Sequence, residues 1–154
     1  MTASGPRWLT PDEQRAWRAL VRVLLKLPTA LDSQLQRDAQ LSHFEFGVLA
    51  ALSEAPARTL RMSELAGLTS SSLSRLSHVV KRLEKRDWVR RAPCLEDGRF
   101  INATLTDHGF AKVAEVAPGH VRIVRALIID ALTPDQLEQL AEIGSRIIDR
   151  IDGG

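Results

Sequence analysis

The sequence is poor in the residues that build disulfides and membrane spans. Its 154 residues include one cysteine, Cys94, so the chain cannot close a disulfide on itself, and a reducing compartment is expected. No apolar run approaches the roughly 20 residues of a membrane span, and the first residues lack the apolar core of a signal peptide. The sequence therefore predicts a cytoplasmic protein with no membrane as a partner.

The motifs of common enzymes are missing as well. The four histidines are scattered along the chain and fit no metal-ligand spacing. There is no glycine-rich phosphate loop and no Gly-x-Ser-x-Gly elbow, and the serines at 70–72 have no evident base as a neighbour. We therefore expect a protein that is not an enzyme and that uses no metal and no cofactor.

Net charge is small, but it is unevenly distributed. The formal charge is +2, and the apolar content of 44% is enough to build a core. Residues 58–106 hold ten Lys and Arg against five Asp and Glu, a net charge of +5. Residues 1–57 are neutral, and residues 107–154, with five bases and eight acids, carry −3. A basic centre between neutral and acidic ends favours a local contact with a polyanion.

Helix starts are marked clearly in the sequence. Thr10-Pro11-Asp12-Glu13 is a capping box with proline at the first helical position. Pro28 is expected to kink this first helix or to end a segment of it. A second helix is predicted to start at Ser42-His43-Phe44-Glu45 and to end before Pro56, and a last one to run from Thr133-Pro134-Asp135-Gln136 to near Arg150.

The basic centre opens with short elements. Arg58-Thr59-Leu60 is predicted as a small strand, and Ser63-Glu64-Leu65-Ala66 as a short helix that Gly67 ends. An amphipathic helix follows, on which Leu76, Val80 and Leu83 fall on the side of Leu73. The opposite side carries hydroxyls, an imidazole and cations, namely Ser71, Ser74, His78, Lys81, Arg82 and Lys85.

After this helix, the spacing of apolar residues changes to the alternation that is typical of β-strands. Residues 88–92 and 100–105 favour β structure, and the turn-rich segment 93–99 between them predicts a hairpin with a charged tip. Thr106-Asp107 is expected to cap a long helix that reaches about Leu132 and is kinked at Pro118-Gly119.

This order of elements predicts a mainly α fold, a winged helix-turn-helix with N- and C-terminal dimerisation helices and a small β wing. The predicted parts are an N-terminal dimerisation helix at 1–40, the DNA-binding domain at 41–106 and C-terminal dimerisation helices at 107–154. The second helix of such a motif lies in the major groove of double-stranded DNA. The predicted DNA contacts are Ser70, Ser71, Ser72, Ser74, Arg75, Ser77, His78, Lys81, Arg82 and Arg99.

The sequence resembles the MarR family of multiple-antibiotic-resistance regulators over nearly its whole length. The resemblance rests on Leu41-Ser42, on Ser63-Glu64-Leu65-Ala66 and on Arg82-Leu83 followed by Trp88-Val89-Arg90-Arg91. It rests most on the wing, where Asp97-Gly98-Arg99 precedes Leu105-Thr106. Two positions depart from the family pattern: Asp87 stands where a glycine is usual, and His78 where an arginine is common.

The resemblance implies a homodimeric transcription regulator, often a repressor released by a small apolar or phenolic ligand and sometimes by thiol oxidation. It also implies that Arg99 enters a minor groove. Asp97 is expected to hold the Arg99 side chain in place rather than touch DNA, because a carboxylate near phosphate is repelled. A ligand would lie between the DNA-binding lobe and the dimer helices, in a cleft expected to be lined by Leu24, Phe44, Val48 and Phe110.

Other interpretations of these residues stay open. The amphipathic helices also fit a helical protein-interaction module, although such a module does not explain a basic hairpin. The Asp97–Arg99 pair can merely stiffen the hairpin tip, and His78 can be an exposed residue without a function. Cys94 can be a thiol switch, because Arg90 and Arg91 lie nearby in sequence and cations depress a thiol pKa; a plain small residue is the favoured interpretation. Trp88 is expected to pack the wing onto the core.

Overall fold

A computed structural model describes residues 5–154, and their order of elements follows the sequence closely. The helices in this part of the chain are α1 (Pro11–Ala39), α2 (His43–Glu54), α3 (Met62–Leu68), α4 (Leu73–Lys85), α5 (Asp107–Leu127) and α6 (Pro134–Asp152). The strands are β1 (Thr59–Arg61), β2 (Val89–Pro93) and β3 (Ile101–Leu105). The predicted winged helix-turn-helix architecture, mainly helical with a small β wing, is confirmed.

The helices begin where the sequence marks them. The hydroxyls of Thr10, Ser42 and Thr133 each accept a hydrogen bond from the backbone N–H three residues on. In return, the backbone N–H of each cap residue donates to the side chain of that later residue, which completes a capping box. These boxes satisfy backbone N–H groups that have no partner inside the helix. The starts of α1, α2 and α6 are therefore fixed by local sequence.

Helix α1 runs through Pro28 to Ala39, so the proline does not end the helix; the kink stays a prediction. One lost backbone bond is offset by burial of Leu31 and Leu35 on the following turns. Two helix ends differ from the prediction. Gly67 lies inside α3, and the left-handed residue that turns the chain is Ser70, with φ 51°. Helix α5 stops at Leu127, five residues early, and a 3₁₀ turn follows it.

The wing is a three-stranded antiparallel sheet in the order β1-β3-β2. Val89 pairs with Leu105 and Pro93 with Ile101, so that β2 and β3 form the predicted hairpin. Strand β1 adds to the far side of β3, where the hydroxyls of Thr59 and Thr104 lie 2.9 Å apart. The sheet ties the wing to the segment that leads into α3.

Leucine and valine side chains from α2, α3 and α4 form the core with the inner face of the sheet. Leu76, Val80 and Leu83 are fully buried, as the helical pattern predicts. Leu73, the first residue of that pattern, is instead 54% exposed, while Val79 is buried. Trp88 is 5% exposed, which confirms that it packs the wing against the core.

A second set of apolar side chains stays uncovered within the chain. Helix α6 contains no buried residue in its 19 positions. The exposed apolar residues of this set are Trp17, Leu20 and Leu24 of α1, Val121 and Leu127 of α5, and Leu140, Ile143, Ile147 and Ile151 of α6. None of the helices between residues 5 and 154 is both long and apolar enough to cross a lipid bilayer.

Gly109 allows α5 to dock closely on the entrance to the wing. A Cβ at this position would lie 2.2 Å from the carbonyl oxygen of Trp88, which accepts a hydrogen bond from the Thr106 backbone N–H. We expect Gly109→Ala to lower the free energy of unfolding by about 1–3 kcal/mol, because backbone has to move. The measurement is chemical denaturation, with Gly67→Ala as the control, since a Cβ at exposed Gly67 meets nothing. A loss no larger in Gly109→Ala than in Gly67→Ala would contradict the close packing.

Candidate nucleic-acid interface

Helix α4 stands on the surface because the turn before it is tightly held. The Ser71 backbone N–H donates to the Ala66 carbonyl at 2.9 Å, which closes the turn between α3 and α4. Ser72 caps α4, and its hydroxyl accepts from the Arg75 N–H at 3.1 Å. With one face of α4 buried on the core, its other face points to solvent.

Four of the predicted contact residues form an open face on α4. Ser74, His78, Lys81 and Arg82 are all exposed. Among the described residues, no hydrogen bond or ion pair engages these four side chains. Their donors are therefore available to phosphates and base edges without breaking a contact within the protein.

Other predicted contact residues have partners in the fold. The hydroxyl of Ser72 caps the helix, while that of Ser71 donates to the Ser72 carbonyl at 2.9 Å. The Ser77 hydroxyl accepts from Arg91 at 3.1 Å. The Arg75 guanidinium lies 4.1 Å from the ring centroid of Phe44. Ser70 is exposed and takes the left-handed conformation of the turn.

The wing tip presents Arg99 as a held but exposed cation. Its guanidinium Nη2 lies 2.6 Å from Asp97 Oδ2 and its Nε 3.0 Å from Asp97 Oδ1, while 84% of the side chain stays exposed. These bonds hold the pKa of the Asp97 carboxyl below its ordinary value and raise the pKa of Arg99. The fork of Arg99 is thus oriented before any partner arrives.

Cys94 lies at the base of the wing loop and is partly exposed. The backbone N–H groups of Asp97 and Glu96 are the main cause of a lowered Cys94 pKa, and the charge of Arg61 adds to them. Arg90 and Arg91, whose nearness in sequence suggests such an effect, are not among the causes.

The described residues contain no group of three or more His, Cys, Asp or Glu placed to hold a metal ion.

The residues predicted to line a ligand cleft occupy different surroundings. Leu24 is 59% exposed on α1, Val48 is fully buried in the core, and Phe110 lies under the guanidinium of Arg58 at 3.7 Å. Only Phe44 of the four lines an open cavity of about 500 Å³ between α1, α2 and the α3–α4 turn. The cavity lining is Pro28, Asp32, Ser42, His43, Phe44, Gly47, Ala51, Leu68, Thr69, Ser70 and Arg75.

Two histidines meet where α2 packs on α5. The rings of His43 and His120 lie 6.1 Å apart between centroids, and the His120 ring lies 4.7 Å from Phe46. The Nδ1 atoms of both imidazoles are buried without a hydrogen-bond partner in the described part of the chain. Burial, and then the charge of His43, lower the pKa of His120. The packing of α2 on α5 therefore favours the neutral form of the His120 imidazole.

We expect stability to fall as the pH drops below the ordinary imidazole pKa of about 6.5. The folded chain has the lower His120 pKa, so the unfolded chain takes up the proton first and acid favours unfolding. The free energy of unfolding is unaffected by this proton above the pKa of His120 in the unfolded chain. It falls as the pH drops below that value, and it stops falling below the pKa of His120 in the folded chain. Denaturation at about pH 7.5 and about pH 5.5 measures it. The loss should be smaller in His120→Gln, and an equal loss in both proteins would contradict this role of His120.

Two features of this surface escape prediction from sequence. Arg91 of β2 reaches back to α4, where its Nη2 lies 2.6 Å from Glu84 Oε1 and its Nη1 donates to Ser77. Asp87, at the position where a glycine is usual, has φ 60°. Aspartate tolerates this left-handed region better than most residues, which explains why the turn into the wing survives without glycine.

An exposed polar face on the second helix of a helix-turn-helix, together with an exposed arginine at the tip of a wing, defines a winged helix-turn-helix protein of the DNA-binding class. A family model described as the MarR family matches residues 39–99. The HTH-type transcriptional regulator PecS of Dickeya dadantii is 35% identical over 78% of this chain and 70% of its own length. The chain belongs to the MarR family of transcriptional regulators.

Solved structures agree with this assignment. The MarR family regulator Sco3205 from Streptomyces coelicolor, crystallised in complex with DNA, is 46% identical and superposes with a TM-score of 0.91, covering 95% of this chain and 91% of that one. AbsC, a MarR family regulator from the same organism, is 40% identical with a TM-score of 0.92, covering 97% of this chain and 100% of that one. The predicted family and function as a DNA-binding transcription regulator are confirmed.

Proposed function

We propose that this chain is a repressor that binds an inverted-repeat operator as a homodimer. The observation that carries the proposal is the open face of α4, together with the exposed guanidinium of Arg99 at the wing tip. In a winged helix-turn-helix, α4 would supply donors for a major groove and Arg99 a cation for the adjoining minor groove. Two relatives are named as repressors, MprA of Escherichia coli and MdtR of Bacillus subtilis, which supports repression rather than activation.

The uncovered apolar faces of α1, α5 and α6 support the homodimer. A helix of 19 residues with none buried gains little stability from its own chain, because propensity contributes little without packing. A second copy supplies an identical apolar face, which is the usual two-fold solution. Such pairing would place two α4 helices about 34 Å apart, which is one turn of DNA.

No catalytic role is needed to explain the described residues, and we propose that the protein is not an enzyme. We also propose that it lies in the cytoplasm, because a regulator acts where the DNA is and its relatives PecS and MprA come from bacteria. The rival function is a helical interaction module that binds only other proteins. The +5 charge of residues 58–106 and the open donors of α4 favour DNA over that rival.

The proposal is tested by selecting bound duplexes from a random pool and measuring the mass of the protein by sedimentation. We expect a dimer at micromolar concentration and a selected site with two-fold symmetry. A titration with random duplex at low salt separates the rival, because a protein-interaction module would show no salt-sensitive binding. A monomer that selects one asymmetric site would overturn the proposed assembly.

Within α4 we expect a division of labour between cations and the imidazole. Lys81 should meet phosphates, so Lys81→Ala should weaken all DNA similarly and reduce the salt dependence by about one phosphate contact. His78 should lie nearer the bases, so His78→Ala should change the preferred base at particular positions. Binding of operator and random duplex at several salt concentrations measures both effects. The division fails if the two variants change specific and random binding in the same way.

We further propose that an apolar or phenolic acid regulates binding from the cavity that holds Phe44. Arg75 lines this cavity and belongs to α4. A ligand that binds the Arg75 guanidinium would therefore compete with the contact between that guanidinium and the Phe44 ring. The ligand can shift DNA binding only if it prefers one arrangement of α4. A screen of phenolic acids by thermal shift and DNA release tests this, with Phe44→Ala compared to Phe110→Ala, which lies outside the lining. Loss of response in Phe110→Ala alone would refute the location.

A further inference from the structure

Arg91 joins the wing to α4 through three polar contacts. Its Nε donates to Glu84 Oε1 at 2.8 Å, its Nη2 lies 2.6 Å from the same oxygen, and its Nη1 donates to the Ser77 hydroxyl at 3.1 Å. Ser77 and Glu84 are seven residues apart, so they lie two turns apart on one side of α4. One guanidinium from the middle of β2 therefore contacts α4 at two residues that are seven positions apart.

The burial of this cluster separates Arg91 from the cations that face DNA. Its side chain is 27% exposed and that of Glu84 is 31% exposed, whereas the Arg99 side chain is 84% exposed. The charge of Arg91 is also compensated by Glu84, so it adds little to attraction for phosphates. A role in holding other groups fits these facts better than a phosphate contact.

Glu84 also needs an explanation, because it is an acid in the basic half of α4. It lies beside Lys81, Arg82 and Lys85, near the C-terminal end of the helix, where the dipole disfavours a negative charge. A carboxylate here also repels the phosphates that the neighbouring cations attract. The Arg91 contact offsets both costs and gives the carboxylate a structural use.

The backbone of Arg91 extends this hold to the wing tip. Arg91 pairs with Ala103 in the β2–β3 ladder and lies two residues before the end of β2, where the loop that carries Arg99 begins. The Cys94 N–H donates to the Phe100 carbonyl at 2.8 Å, which continues the ladder into that loop. The Phe100 N–H donates to the Asp97 carbonyl, and Asp97 holds Arg99, so a chain of paired backbone and side-chain groups runs from Ser77 and Glu84 through Arg91 to the guanidinium of Arg99.

We propose that Arg91 is a positioning residue that fixes the spacing between the major-groove face of α4 and the minor-groove side chain Arg99. The inference rests on the proposed DNA-binding mode and deepens it. The contact to α4 sets how far and at what angle the wing reaches, and so decides whether Arg99 enters the groove while α4 is seated. Arg91 acts on specificity through Arg99, which lies eight residues away.

A double-mutant cycle between Arg91 and Arg99 tests the proposal. Affinity for the selected operator is measured for the unmodified dimer, Arg91→Met, Arg99→Ala and the double variant. Methionine keeps the unbranched stem and removes the fork. Arg99→Ala should cost about tenfold in affinity alone and less than about threefold in the Arg91→Met background, because a misplaced wing has little contact left to lose.

Arg90 supplies the matched control. It precedes Arg91 on β2 and is exposed, and its side chain forms no hydrogen bond or ion pair among the described residues. Arg90→Met removes the same charge from the same strand, so it should leave the cost of Arg99→Ala unchanged. Arg91→Lys should restore the charge without the fork and leave the coupling weak, and Glu84→Gln should reduce the coupling while raising affinity for random duplex.

The outcomes separate this inference from the proposed function. An equal cost of Arg99→Ala in the unmodified and Arg91→Met backgrounds overturns the positioning role, as does a cycle with Arg90→Met that shows the same coupling. If Arg99→Ala costs nothing in the unmodified protein, the positioning role falls while DNA binding stands. If the unmodified protein binds no duplex at low salt, the proposed function itself fails. Thermal unfolding of each variant checks its fold, and Glu84→Gln decides the matter if Arg91→Met does not fold.

Discussion

Ile147→Lys should separate the dimer and abolish specific DNA binding. Ile147 is 40% exposed on the apolar side of α6, in line with Leu140, Ile143 and Ile151. In a two-fold interface the substitution acts twice, and each side chain loses about 1.5–3 kcal/mol of burial. The dimer dissociation constant should therefore rise by on the order of 10² to 10⁴.

Lysine is chosen because it adds a positive charge. A loss of DNA affinity in Ile147→Lys cannot come from repulsion of phosphates, so it has to come from lost assembly. Ser145→Lys is the matched control, since Ser145 is exposed on the other side of α6 and gains the same charge. Sedimentation and operator binding are measured for both variants. A dimeric Ile147→Lys protein would show that α6 is not the interface.

Arg99→Ala should cost about 1–3 kcal/mol in operator affinity and erase a preference for A·T pairs at the flanks of each half-site. A planar guanidinium fits a narrow minor groove, where the negative potential is strongest in A·T-rich sequence. Asp97 holds the fork at 2.6 Å and should not itself touch DNA, since a carboxylate near phosphate is repelled. Arg99→Lys should recover charge but not the full affinity, because lysine lacks the fork.

Selection of bound DNA by each variant is the measurement for the wing. Preference at the centre of each half-site should survive in Arg99→Ala, since α4 is unchanged. Arg90→Ala removes a cation from the same hairpin and should lower affinity without changing the flanks. If Arg99→Ala binds the operator as tightly as the unmodified protein at physiological salt, the wing is only structural.

The parts of the fold that sequence predicts are those set by neighbouring residues. The capping boxes at Thr10, Ser42 and Thr133 need only the next three positions, and all are present. Helix ends follow less well, because packing decides whether a chain tolerates a proline. At Pro28 the buried turn that follows keeps α1 intact, and no local pattern reports that burial.

The interface was predictable as a surface but not as a set of contacts. Alternation of apolar and polar residues in α4 identifies the open face of Ser74, His78, Lys81 and Arg82. It does not show that the Ser77 hydroxyl accepts a hydrogen bond from Arg91, 14 residues later, because that contact depends on how the strand packs on the helix. The same holds for His43 and His120, which meet only after α2 and α5 are packed.

Because subunits pair through α6, operator occupancy depends on how much of the protein the cell makes. Because no residue of α6 is buried within one chain, single subunits leave its apolar face in water and are less stable than pairs. While most subunits are single, the concentration of pairs grows with the square of the total. Operator occupancy then responds to synthesis more steeply than simple binding allows. A modest change in expression would switch the regulated gene over a narrow range, before any ligand is involved.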